Sequence, residues 1–303
     1  MQLRIGTSGW NYPSGRGTWN GVFYPLPEDR DRGFDELRFY AERFNAVEVN
    51  STFYGQPRAA VALGWVRRTP AAFEFAVKLY QKFTHPAMAA DPSAITRADI
   101  DAFKGGVEPL AAAGRLGALL AQFPPGFHDT PEARGYLEWL LRTFAAYPMA
   151  VELRHRTWSD AAAGTRALLD AHGAAWVQID EPKFESSIEQ DLTPNRSDLL
   201  YVRLHGRNAA QWWVHDRAED RYNYLYSAAE LEPIAARVRA ASAAVKKAYL
   251  FLNNHFSASA VANATMLKRM LGDPVTARMP AELVARYPAL EELVATLPPA
   301  RLL

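Results

Sequence analysis

Short apolar segments of strand character recur eight times along this chain, and helix-like stretches follow nearly all of them. The segments are Leu3 to Ser8, Ala46 to Thr52, Phe73 to Leu79, Gly117 to Phe123, Met149 to Arg154, Ala174 to Asp180, Leu200 to His205 and Lys247 to Asn253. Apolar residues at helical spacing mark Phe34 to Phe44, Ala133 to Phe144, Asp160 to Ala171, Ala228 to Ala241 and Ala258 to Leu271. From Glu181 to Asp198 the helical pattern is weak. Strand and helix in alternation imply parallel pairing through crossover helices. An open doubly wound sheet alternates in the same way. The count of eight, and the lack of a Gly-rich phosphate loop after any strand, favour closure into a single (β/α)8 TIM barrel. No Pro/Gly/Ser linker divides the 303 residues, so residues 1–303 are expected to form one domain, with a Pro- and Ala-rich extension, about 273–303, packed on the barrel.

Three long connections follow strands and so are expected on the C-terminal face, where such folds place their sites. They are Trp10 to Gly33, Tyr80 to Leu116, and the aromatic-dense Gly206 to Tyr226 with Trp212, Trp213, Tyr222, Tyr224 and Tyr226.

Side chains alternate across a strand, and the apolar set must face the helices. Val47 and Val49 oppose Glu48 and Asn50. Phe75 and Val77 oppose Ala76 and Lys78. Val151 and Leu153 oppose Glu152 and Arg154, Val177 and Ile179 oppose Gln178 and Asp180, and Val202 and Leu204 oppose Arg203 and His205. Gln122 ends the fourth segment. The polar set is then expected to converge around the axis at one end. Buried charges are costly unless paired, so this convergence points either to a reactive pocket or to ion pairs that plug the barrel.

Bulk properties narrow the classes. Lys+Arg is 34 and Asp+Glu 33, a net charge of +1, so no field of one sign favours nucleic acid. There are no cysteines, which removes disulfides, thiolate nucleophiles and cysteine-bound metals. No apolar run is long enough to cross a bilayer, and MQLRIGTSGW has no signal region, so a soluble cytoplasmic protein without membrane partners is expected.

The sequence also resembles the family known as domain of unknown function 72, or YecE-like proteins. The matching stretches are IGTSGWNYPSGRG (Ile5 to Gly17), FNAVEVNSTFY (Phe44 to Tyr54), TPAAFEFAVK (Thr69 to Lys78), FTHP (Phe83 to Pro86) and LLAQFPPGF (Leu119 to Phe127). Further along come VELRHRTW (Val151 to Trp158), Asp180-Glu181-Pro182, YVRLHGRN (Tyr201 to Asn208), YNYLYS (Tyr222 to Ser227) and LNNHFSASAVANA (Leu252 to Ala264). The resemblance implies a (β/α)8 barrel and leaves the activity open. Its polar signature adds Ser8, His85, His155, Asn253, Asn254 and Asn263 to the residues named above. Three positions depart from the pattern: Gly15 stands where the family usually has Trp, Thr157 where Ser is common, and Ala258 where Gly is usual.

The residues expected to carry chemistry are Glu48, Lys78, Glu152, Asp180 and His205. Those expected to bind substrate are Ser8, Asn50, Gln122, Arg154, His155, Arg203, Trp212, Asn253 and Asn254. Lys78, Arg154 and Arg203 would hold a phosphate or carboxylate of a small metabolite, and Glu48, Glu152 or His205 would move a proton. A glycosidase would need Glu48 and Glu152 on opposite sides of a bond. A second reading is metal-assisted hydrolysis, nuclease-like, with Glu48, Glu152, Asp180 and His205 on a divalent ion; against it stand the three nearby cations. A third is a non-catalytic binding protein. No dinucleotide fingerprint, P-loop or nucleophile elbow is present, and no cofactor or resident metal is expected on the leading reading.

Overall fold

The computed structural model describes residues 1–85, 88 and 94–297. Pro86 of the FTHP stretch and residues 298–303 of the expected extension lie outside them. Among the described residues nine parallel strands form two sheets. In the first, β1 (Gln2–Thr7), β9 (Lys247–Leu252), β8 (Leu199–Leu204) and β7 (Gln178–Asp180) are neighbours in that order. In the second the order is sequential: β2 (Ala46–Val49), β3 (Glu74–Lys78), β4 (Leu116–Gln122), β5 (Met149–Glu152) and β6 (Ala174–Trp176). An isolated parallel bridge joins Ser8 to Glu48.

Eight strand segments were expected, and nine are found because Ala174 to Asp180 breaks in two. The Val177 N–H still donates to the Val151 carbonyl at 2.9 Å, while Gln178 already pairs with Val202. The segment changes partners in mid-run, which interrupts the ladder without turning the chain.

Both faces of the strands are buried, Glu48, Glu152, Gln178, Arg203 and His205 on the polar side as well as the apolar set. Val47, Val49, Phe75, Val77, Val151, Leu153, Val177, Ile179, Val202 and Leu204 are all buried. Helices at Pro131–Thr143, Ala162–Ala171, Ala228–Ala241 and Ser259–Met270 coincide, within a few residues, with the helical spacing in the sequence. No helix forms from Glu181 to Asp198.

The long connection from Tyr80 to Leu116 carries helices that the sequence pattern did not reveal. That stretch contains a short helix, Gln81–Thr84, and a 16-residue helix, Arg97–Ala112, opened by a Thr96–Asp99 capping box. Gly105, Gly106 and Pro109 are poor helix formers and hid it. Gly106 is required there: a Cβ would lie 2.2 Å from the Pro57 carbonyl oxygen. Toward the C-terminus, Leu283, Val284 and Leu290 are buried, and the Tyr287 hydroxyl donates to the Ser257 carbonyl at 2.6 Å. Among the described residues no helix is long and apolar enough to cross a membrane.

Candidate functional site

The inward residues of β8 organise the site. Arg203 donates from Nε and Nη2 to the Glu48 carboxylate of β2, at 2.9 and 2.7 Å, and from Nη1 to Glu152 of β5 at 2.5 Å. Tyr201, two residues earlier and so on the same face, donates its hydroxyl to Glu48 at 2.7 Å. Arg154, two residues past Glu152, folds back to donate from Nε to that carboxylate at 2.8 Å and pairs with Glu181 at 3.5 Å. Both Glu48 and Glu152 have zero exposure, so two guanidinium groups seal them from water. Burial would raise the Glu152 pKa, but Arg203 and then Arg154 overcome it and hold the carboxyl well below its usual range.

His205 lies 3.1 Å from Arg154 Nη2 through Nε2 and 2.9 Å from the Asn253 carboxamide through Nδ1. Arg154 Nη2 can only donate, so Nε2 accepts from it, while Nδ1 faces the Asn253 amide nitrogen. Burial, followed by Arg154, lowers its pKa to about 3. A neutral imidazole thus orients Arg154 and Asn253.

Above this network opens a cavity of about 370 Å³. Lys78, Gln122, Arg154, Arg203, Asn50 and Asn253 line it, and Trp10, Tyr12, Tyr54, Tyr222 and His255 give it an aromatic wall. Tyr12 stacks on His255 at 4.2 Å and Tyr222 tilts against the same ring at 4.9 Å. The Lys78 Nζ donates to Gln122 Oε1 at 2.5 Å and lies 3.9 Å from the Phe53 ring centre. Lys78 is half-buried, and the exposed part faces the cavity. Desolvation, then the Arg203 charge, lowers its pKa to about 7 against the opposing pull of Glu152 and Glu48.

Six of the expected residues therefore meet at the cavity: Asn50, Lys78, Gln122, Arg154, Arg203 and Asn253. Glu48, Glu152 and His205 stand behind them. A glycosidase-like arrangement does not form, because the same Arg203 side chain bridges both carboxylates. Asp180 does not line the cavity; Arg207 takes both its oxygens at 2.9 and 2.7 Å, and Tyr226 adds a third bond at 2.7 Å. Ser8 is buried and is itself the residue that bridges to Glu48. Asn254 ties Tyr224 and Asn263 together, both at 2.8 Å. Trp212 packs edge-on to His205 at 6.4 Å, and His155 stacks on exposed His128 at 3.8 Å, neither on the cavity.

Of the aromatic wall only Tyr222 is singled out in the sequence, in a connection expected at the site; Trp10 and Tyr12 also stand in such a connection, but they, Tyr54 and His255 are given no role there. Trp10, Tyr12 and Tyr54 belong to matching stretches of the family signature, which was the available signal. Among the described residues no group of three or more His, Asp or Glu could hold a metal. The carboxylate oxygens that a metal would take are already occupied by Arg203, Arg154 and Tyr201.

Two departures from the signature have structural counterparts. Ser257 and Ala258 both adopt left-handed backbone, with φ of 50° and 63°, where a glycine is usual at the second. Gly15 has φ 85°, a backbone strained for any side chain, and a Cβ there would come within 2.6 Å of the Glu219 carboxylate, which would have to move.

A family model described as "Protein of unknown function DUF72" matches residues 4–285. The UPF0759 protein YunF of Bacillus subtilis is 28% identical over 288 residues, 93% of this chain and 99% of that one. The UPF0759 protein YecE of Escherichia coli is 32% identical over 127 residues, 41% and 43% of the respective chains. A DUF72 family protein from Thermotoga maritima, solved by crystallography, superposes with a TM-score of 0.76 at 34% identity, covering 90% of this chain and all of that one. A DUF72 family protein from Enterococcus faecalis gives the same score at 24% identity, covering 89% and 96%.

Proposed function

Because the chain belongs to the DUF72 family, whose description names no activity, its chemistry has to be argued from the cavity, and we propose that it is an enzyme acting on a small anionic metabolite by acid/base chemistry. One observation carries this reading: Arg154, Lys78 and the edge of the nearly buried Arg203 line the cavity, while the carboxylates paired with the two arginines are sealed behind. An anion entering there meets three cationic side chains and no exposed carboxylate. Arg154 and Arg203 suit a planar carboxylate or a phosphate. Lys78, poised near neutrality, can give or take a proton at physiological pH. The amides of Asn50, Gln122 and Asn253 would orient hydroxyl or carbonyl groups.

We infer likewise that the two sheets close on each other as one (β/α)8 barrel spanning the chain, with residues from about 273 packed on its outside. The Ser8–Glu48 bridge at one seam supports this, as does the run from β6 into β7 at the other. The site would then lie on the C-terminal face, in the cytoplasm where such metabolites are met.

The test is calorimetric titration of inorganic phosphate and acetate into the protein and into Arg154→Met, with mass spectrometry of an anionic metabolite extract incubated with each. Saturable binding that weakens about ten-fold or more in the variant is expected, since a charge-assisted hydrogen bond contributes about 1.5–3 kcal/mol. Depletion of a metabolite by the parent alone would identify the substrate. No anion binding and no depletion would refute the proposal.

A further inference from the structure

Lys78 differs from the other cations of the cavity. Arg154 and Arg203 are each tied to a buried carboxylate. Lys78 makes no ion pair among the described residues; its polar partner is the neutral Gln122 Oε1, and its other close neighbour is the face of Phe53. Desolvation and two neighbouring arginines, with no ion-pair partner, favour the neutral amine that a nucleophilic lysine needs, against the pull of the Phe53 face toward the ammonium.

Resting on the reading of the cavity as an anion site, we infer that Lys78 attacks a carbonyl carbon, so that the substrate is a small aldehyde or ketone bearing a carboxylate or phosphate. The ammonium first gives its extra proton to solvent. The Nζ lone pair then forms the C–N bond while the carbonyl π pair moves onto oxygen. Both amine hydrogens pass to that oxygen, one water leaves, and an imine of Lys78 remains. Addition of one water reverses the sequence, and no oxidant or reductant is needed.

The surroundings fit each part. Arg154 and Arg203 would take the anionic group. Asn50 lines the cavity, and its buried Oδ1, without a hydrogen-bond partner among the described residues, would reach the hydroxyl of the addition intermediate by rotation of the side chain. The charged groups around the amine are Arg203, Arg154, Glu152 and Glu48, and the nearby His85 is held neutral, its pKa lowered to about 4 by burial and then by Lys78 itself. With the Lys78 pKa near 7, about half of the amine is unprotonated at neutral pH, against less than about one part in a thousand for an ordinary lysine.

The full chain is incubated at pH 7 with glyoxylate, pyruvate or glyceraldehyde 3-phosphate, each with sodium cyanoborohydride, and read by intact mass and peptide mapping. One reduced adduct per chain is expected with at least one probe, on Lys78 at about ten-fold or more over any other lysine. Its rate should climb with pH through about 7 and then level off. Inorganic phosphate should suppress it, and Lys78→Met and Lys78→Arg should both lack it. The arginine variant keeps the charge, so loss of the adduct there is not a loss of folding. Phosphate binding measured on the same sample separates the two claims. Binding with no Lys78 adduct from any probe overturns the nucleophile and leaves the anion site standing; absence of both overturns the anion site as well.

Discussion

Replacing Arg203 by Met is the most informative single perturbation of the buried network. The substitution keeps much of the volume and removes three charge-assisted hydrogen bonds, two to Glu48 and one to Glu152. The two carboxylates lose unequally. Glu152 retains Arg154 at 2.8 Å, whereas Glu48 keeps only the Tyr201 hydroxyl at 2.7 Å, and both have zero exposure. The cost is therefore that of one stranded carboxylate, about 3–5 kcal/mol, and not twice that. Against a total stability on the order of 5–15 kcal/mol this is a large fraction. Urea unfolding followed by tryptophan fluorescence reads it as a lower midpoint at unchanged slope. Adding Glu48→Gln to Arg203→Met removes the stranded charge and should recover at least about half of the loss. A cost below about 1 kcal/mol for the single variant, or a double variant no more stable than the single, would refute the assignment of Glu48 as a carboxylate dependent on Arg203.

The remaining predictions concern titration and backbone. The Lys78 pKa is near 7 in the folded chain and near 10.5 when unfolded, so the unfolded chain binds the extra proton between those values and stability rises with pH there. Lys78→Met should accordingly be more stable than the parent relative to its own alkaline value at pH 7, with the difference shrinking toward pH 10; a difference independent of pH would show that the amine is not desolvated. His85, His205 and His255 are held neutral with pKa values of about 4, 3 and 3. Each depressed value contributes stability that is present above about 6.5 and lost as pH falls toward the folded value. The urea midpoint should thus drop between pH 7 and 4.5, and His255→Phe should flatten that drop; an unchanged slope in the variant would count against it. Ala258→Gly should raise stability by about 1 kcal/mol by relieving the left-handed Cβ, and a measured loss of that size would contradict the strain.

What could be read in the sequence was whatever strict periodicity encodes. The two-residue alternation assigned Glu48, Lys78, Glu152, Arg154, Arg203 and His205 to a common side of their strands; the charged network joins all but Lys78, which bonds Gln122 beside it. Periodicity carries no information on height along the axis or on what another chain segment brings. Glu152 and Arg154 share a parity, yet the arginine is long enough to fold back over the carboxylate and present its own charge to the cavity in its place. Asp180 has the inward parity too, but Arg207, supplied by the turn after β8, captures both its oxygens first. The aromatic wall comes from residues outside the strands, at Tyr12, Tyr54, Tyr222 and His255, whose directions follow turns and not a pleat. A carboxylate is written the same way whether it meets substrate or only holds an arginine toward it. Here the second arrangement prevails, and it converts a strand pattern of mixed charge into a pocket whose accessible charge has a single sign.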